Sequence, residues 1–256
     1  MSGKFCNFHI CVIFFIKFYV RRNSKFFTIG ISIFVIALCG LFIFTIIGSS
    51  PSGIGSFNIK GQTYYSVSFG RFENLAEASR EADKIIVRGG AGYIVKDKGY
   101  NVLASLYKSK TDADSVAGYL KEANYNATVY EIKIPDIYLK TEFDYSKILN
   151  DLMLPLSWLC DLYYKIDDYE ITIHSANSEI NKIINNLNLS AANFEKRSLD
   201  GVKDIRIKAE FKVIINSLEN LQLNFTLEDL SLKIKQTQFK ILYGIIDLFA
   251  EINDKI

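Results

Sequence analysis

The chain has 256 residues, with 30 Lys and Arg against 28 Asp and Glu, a net charge of only +2. That balance removes the electrostatic reason to expect nucleic acid as a partner. Four cysteines, of which only Cys160 lies beyond residue 39, exclude a disulfide-stapled body, so stability must come from packing.

Residues 1–25 carry Lys17, Arg21, Arg22 and Lys25 just ahead of an apolar run. That run, Phe26 to Ile47 (FFTIGISIFVIALCGLFIFTII), has no charged residue, and none follows before Lys60. At about 1.5 Å rise per residue it is long enough for a hydrocarbon core of about 30 Å, and it lacks the polar face of a buried helix. A transmembrane helix is predicted over 26–47. Basic residues on its N-terminal side place residues 1–25 in the cytoplasm and the bulk of the chain outside. The run exceeds the apolar core of a cleavable signal, and no Ala-x-Ala pattern stands near Gly48, which favours a retained single-pass anchor. Residues 48–61 are rich in Gly and Ser and read as a flexible linker.

Residues 62–134 hold an internal repeat. Thr63 to Phe69 alternates and is rich in β-formers. Asn74 to Val87 has helical spacing, with Asn74 as N-cap and Gly89-Gly90 as stop. A short strand over 91–95 and an Asp97-Lys98-Gly99 turn follow. The cycle recurs as a strand over Tyr100–Leu106, a helix over Thr111–Ala123 and a strand over Asn126–Ile132. Ala78 and Ala113 lie 35 positions apart, and Phe72/Tyr107, Ala82/Ala117 and Ile85/Leu120 share that offset. The order β-α-β-β-α-β predicts a four-stranded antiparallel sheet with both helices on one face. Alternation turns Tyr65, Val67, Phe69, Val102 and Ala104 toward the helices. It turns Tyr64, Ser66, Ser68, Asn101 and Leu103 onto an open face.

The pieces Tyr65-x-Val67-x-x-Gly70-x-Phe72, Ala78 and Gly90, repeated as Tyr100-x-Val102 through Tyr107 and Ala113, resemble the SPOR (sporulation-related repeat) family over a little more than a quarter of the chain. The resemblance implies a non-catalytic module that binds peptidoglycan glycan strands stripped of stem peptides, at division or sporulation septa, in single-pass proteins with the N-terminus inside. Ser68, Leu103 and Ser105 stand where the family often has Gln, Arg and Gly. The candidate glycan contacts are Tyr64, Ser66, Ser68, Tyr93, Asn101 and Leu103, which offer hydroxyl, amide and aromatic groups to sugars. An alternative of another class keeps the fold and drops the ligand: a scaffold or protein-interaction module of the cell envelope.

Residues 138–256 are predicted all-helical. Apolar stripes run through Ile148–Leu162, Ile180–Leu187, Val202–Leu221 and Ile234–Ile252, with polar residues between, as in a helix bundle. Pro155 and Gly244 are expected kink points, and Trp158 a core residue. This region could recruit division or sporulation proteins. The expected class is thus α+β: an anchor, a SPOR-like domain and a C-terminal all-α region.

No hydrolase, P-loop or dinucleotide fingerprint occurs. His9 and His174 are the only histidines, and neither has the neighbours of a zinc set. Asp167-Asp168 reads as a solvated turn. The expectation is no enzyme, no cofactor and no nucleic acid.

Overall fold

A computed structural model describes residues 55–197, 201–222 and 226–254. The predicted cytoplasmic segment and transmembrane helix, residues 1–47, lie outside the described residues. Among those described, no helix is long and apolar enough to cross a membrane.

The chain order is β1 (Gly55–Ile59), β2 (Thr63–Phe72), α1 (Leu75–Val87), β3 (Tyr93–Lys96), β4 (Tyr100–Tyr107), α2 (Lys110–Glu122), β5 (Thr128–Lys133) and β6 (Ile137–Thr141), then α3 (Ser146–Asp167), α4 (Ile173–Glu195), α5 (Val202–Glu219) and α6 (Leu227–Asp254). The mixed α+β architecture, its antiparallel sheet and the helical C-terminal region agree with the sequence.

The repeat folds into a four-stranded sheet ordered β3-β4-β2-β5, every pair antiparallel. β2 is central because TYYSVSFGRF is rich in aromatic and β-branched residues suited to a strand paired on both sides. Tyr65 faces Tyr107 of β4 and Glu131 of β5. α1 starts where Asn74 Oδ1 accepts from the Glu77 amide at 2.9 Å. It ends at Arg88, followed by Gly89 at φ +83°, the left-handed region that stops helices. Ala78, Ala82 and Ile85 of α1 pack on Val102 and Ala104. Ala113 and Ala117 of α2 pack on Val67, Tyr107 and Ala127. Small alanines at the contact let each short helix lie close to the sheet. The two helices thus sit over separate clusters, and both share one face, as predicted.

The predicted linker needs correction. Gly55–Ile59 is a strand paired antiparallel with β6, from Gly55 against Thr141 to Ile59 against Ile137. Ile59, Ile137 and Leu139 are buried. Burial of these alternate residues outweighs the Gly/Ser composition, so the chain enters and leaves the repeat through one two-stranded clasp.

The C-terminal helices share a single core with the sheet. Tyr64, Leu103, Leu106 and Ile132 belong to the same buried cluster as Leu152, Leu159, Phe239, Leu242 and Phe249. The described residues form one compact unit. Pro155 is buried within α3. Trp158 is only half-buried, in a groove between α3 and α4 with Leu162, Ile183 and Asn186.

Gly244 serves a purpose other than a kink. A Cβ there would stand 2.4 Å from Glu210 Oε1, so the missing side chain admits a buried carboxylate from α5. Burial pushes the Glu210 carboxyl up; Arg206, 3.5 Å away and also bonded to Glu251 at 2.8 Å, opposes this, and Asp247 of α6 adds to it. A raised folded-state pKa means the folded chain holds this proton more tightly than the unfolded chain. Its contribution to stability therefore falls as pH rises from the unfolded value, 4.5, through the folded one. Glu210→Gln removes the titration. Urea unfolding is expected to show a higher midpoint for the variant at pH 7, and no gain at pH 4.

Candidate functional site

The sheet has two faces, and the structure assigns them differently from the open-surface expectation. Tyr64, Ser66, Ser68, Asn101 and Leu103 are each no more than 5% exposed. They point away from α1 and α2 as the alternation requires, but α3 and α6 cover that face. Tyr93 is half-buried and stacks on two rings of α6, Phe239 at 5.0 Å and Tyr243 at 5.4 Å. The six candidates do lie on one face, and it is an interior face.

Their polar groups turn inward. Tyr64 Oη donates to Gln62 Oε1 at 2.7 Å, and burial raises its pKa well above the usual phenol value. Ser68 Oγ donates to the Gly70 carbonyl at 3.3 Å and Asn101 Nδ2 to the Asp97 carbonyl at 3.4 Å. Ser66 Oγ is buried without a partner among the described residues.

Residues that the sequence did not single out bind the two layers together. Tyr163 Oη of α3 donates to the Leu106 carbonyl at 2.8 Å, and Cys160 Sγ to the same oxygen at 3.4 Å. Gln238 Nε2 donates to Cys160 Sγ at 3.2 Å. Cys160 is fully buried, and burial pushes its thiol up to about 12. Gln236 Nε2 reaches the Ala91 carbonyl at 3.4 Å and Lys235 Nζ the Gly89 carbonyl at 3.2 Å. Lys235 also pairs with Asp167 at 2.7 Å. Asp167, exposed at the end of α3 beside the turn at Asp168, also links α3 to α6. One signal could have exposed this layering. β4 reads NVLASLY, apolar at Val102, Leu103, Ala104 and Leu106, the near-continuous run of a strand buried on both faces.

The helix side of the sheet is different. Between α1 and α2 lies a cleft of about 490 Å³, floored by Val67, Phe69 and Ala104. Tyr125 and Arg88 stand at it from the ends of the two helices, with the guanidinium 4.8 Å from the ring centroid. Phe69 meets Tyr125 edge-on at 6.0 Å. Tyr164, Asp167, Asp168 and Lys235 line it from the helical layer.

His174 is exposed at the start of α4. Among the described residues, no group of three or more His, Cys, Asp or Glu is placed to hold a metal ion.

Residues 61–131, the stretch from the β1–β2 turn into β5, match the family model of the SPOR domain. The chain therefore carries a SPOR domain inside a longer architecture. Among solved structures, the peptidoglycan binding domain of the B. subtilis cell wall lytic enzyme CwlC is similar, at 28% identity over 28% of this chain and 91% of that one, with a TM-score of 0.25. No curated protein matches the chain.

Proposed function

We propose that this chain is a non-catalytic cell-envelope protein whose SPOR domain binds the glycan strands of peptidoglycan at division or sporulation septa. Residues 26–47 would anchor it, with the N-terminus in the cytoplasm and the remainder outside. The family match over residues 61–131 carries this reading. The run of uncharged residues before Lys60, with basic residues on its N-terminal side only, supports the topology.

A second reading has its own observation. The sheet face that offers Tyr64, Ser66, Ser68, Tyr93, Asn101 and Leu103 is occupied by the chain's own helices, as in a module turned into scaffold. One measurement separates the two. Full-length protein in detergent is mixed with purified sacculi, with and without prior amidase digestion, and pelleted. Binding predicts co-sedimentation that rises when stem peptides are removed. Protein left wholly in the supernatant under both conditions selects the scaffold.

A further inference from the structure

α5 is apolar on two sides. Ile207, Phe211, Ile214 and Leu218 are buried in the shared core. On the outward side Val202, Ile205 and Val213 are 64%, 59% and 53% exposed, and Ala209 is exposed between them. At about 3.6 residues per turn these four share one stripe. Among the described residues, no other helix carries three large apolar side chains this exposed. The two carboxylates between Val202 and Asn216, Asp204 and Glu210, are buried, so the outward charge of that stretch is basic. Lys208 and Lys212 border the stripe on one side, and Arg206, bonded to Glu251 of α6 at 2.8 Å, borders it on the other.

We propose that this face of α5 rests on the surface of an anionic lipid bilayer. This rests on the proposed anchoring by residues 26–47 and extends it. The tether is short: residues 48–54 reach at most about 25 Å between the predicted anchor and Gly55, at about 3.5 Å per residue. α5 begins near the place where that tether arrives. Gly55 pairs with Thr141, whose Oγ1 accepts from the Phe143 amide at 3.4 Å. The Phe143 ring meets Tyr145 edge-on at 4.7 Å, and Tyr145 Oη donates to Asp204 Oδ1 at 2.6 Å in the first turn of α5. Val202 and Ile205 stand in that same turn, so the stripe starts beside the point of attachment.

An apolar stripe with basic borders is the pattern of a helix lying in a membrane interface, its alkyl groups at the acyl boundary and its cations at lipid phosphates. Three alkyl side chains and a few bases hold a free protein only weakly. Attachment through the anchor makes the contact intramolecular and raises the effective concentration of lipid. The same borders oppose a second copy as occupant. Two stripes paired antiparallel about Ala209 would set Ile205 against Val213, but also Arg206 against Lys212, like charge against like.

The test uses full-length protein in nanodiscs of phosphatidylglycerol and phosphatidylcholine, with and without brominated acyl chains. Trp158→Phe removes the only tryptophan, and Ile205→Trp then places a reporter on the stripe. Val87→Trp in the same background, at a side chain 87% exposed on α1, is the control. Bromolipid is expected to quench the reporter at least about threefold more than the control, with unchanged thermal melts. The difference is expected to shrink in discs of phosphatidylcholine alone, and again with Lys208→Gln/Lys212→Gln. Equal quenching at the two positions overturns the α5 contact and leaves the anchor in place. So does a reporter shielded only in discs that hold two copies, which assigns the stripe to self-association. Protein that fails to incorporate into discs removes the anchored reading, and the lipid contact with it.

Discussion

Phe239→Ala is expected to destabilise the sheet as much as the helices, by about 3–5 kcal/mol. Phe239 is fully buried, and its ring lies 5.0 Å from that of Tyr93 at an interplanar angle of 13°. It shares one cluster with Leu103 and Leu106 of β4 and with Leu242 and Phe249 of its own helix. Removing the ring opens a void that sheet and helices line together. A large-to-small change in such a place loses both the transfer free energy and the contacts around the cavity. Two probes can be read separately. Trp158, the only tryptophan, stands on α3 and reports the helical layer by fluorescence. Amide exchange along Val102–Leu106 reports the sheet. Both are expected to shift by the same amount, in a single guanidinium transition. Sheet amides that keep wild-type protection while Trp158 unfolds early would mean two independent cores, and would restore the sheet face as an accessible surface.

The local order of the repeat was legible because its signals are local. Asn74 caps α1, Gly89-Gly90 ends it, and Lys98 and Gly99 take positive φ between β3 and β4. The helix-facing residues Val67, Val102 and Ala104 follow from a period of two and lie where expected. The other face was misread because alternation says which residues share a side, and nothing about what covers it. Ser66 and Ser68 look like solvent positions, yet small side chains also permit close approach by another layer. The amphipathic stripes of the C-terminal helices were read as a bundle packing on itself. Their partner includes a sheet far earlier in the chain, already 54 residues back where Cys160 of α3 meets Leu106, and periodicity carries no address. β1 was hidden by its glycine and serine, and by a partner strand that does not begin until Ile137. The cleft was illegible for a related reason. Arg88, Tyr125 and Tyr164 come from three separate elements, and no spacing rule brings them together.

Gly61→Ala is expected to loosen the clasp at the base of the SPOR domain, at a cost of about 1–3 kcal/mol, and to do so through backbone collision. A Cβ on Gly61 would stand 1.9 Å from the Ile134 carbonyl oxygen and 2.7 Å from the carbonyl carbon and oxygen of Pro135. No rotamer change relieves contacts with main chain, so the β1–β2 turn and the β5–β6 connection must separate. That separation breaks a set of bonds at once. The Gly61 amide donates to Asp136 Oδ1 at 2.9 Å, Lys60 Nζ reaches Asp136 Oδ2 at 2.7 Å, and the Ile134 amide donates to the Gln62 carbonyl at 2.8 Å. The Asp136 carbonyl in turn accepts from Asn253 Nδ2 of α6 at 3.1 Å, so the disturbance reaches the far end of the covering helix. Asp136→Asn separates the causes. It removes an exposed charge pair, of a kind that contributes little in water, while leaving the backbone approach intact. The expected pattern in denaturant melts is a large fall in midpoint for Gly61→Ala and a small one for Asp136→Asn. Equal falls would place the clasp's strength in the ion pair and not in the close contact that only glycine allows.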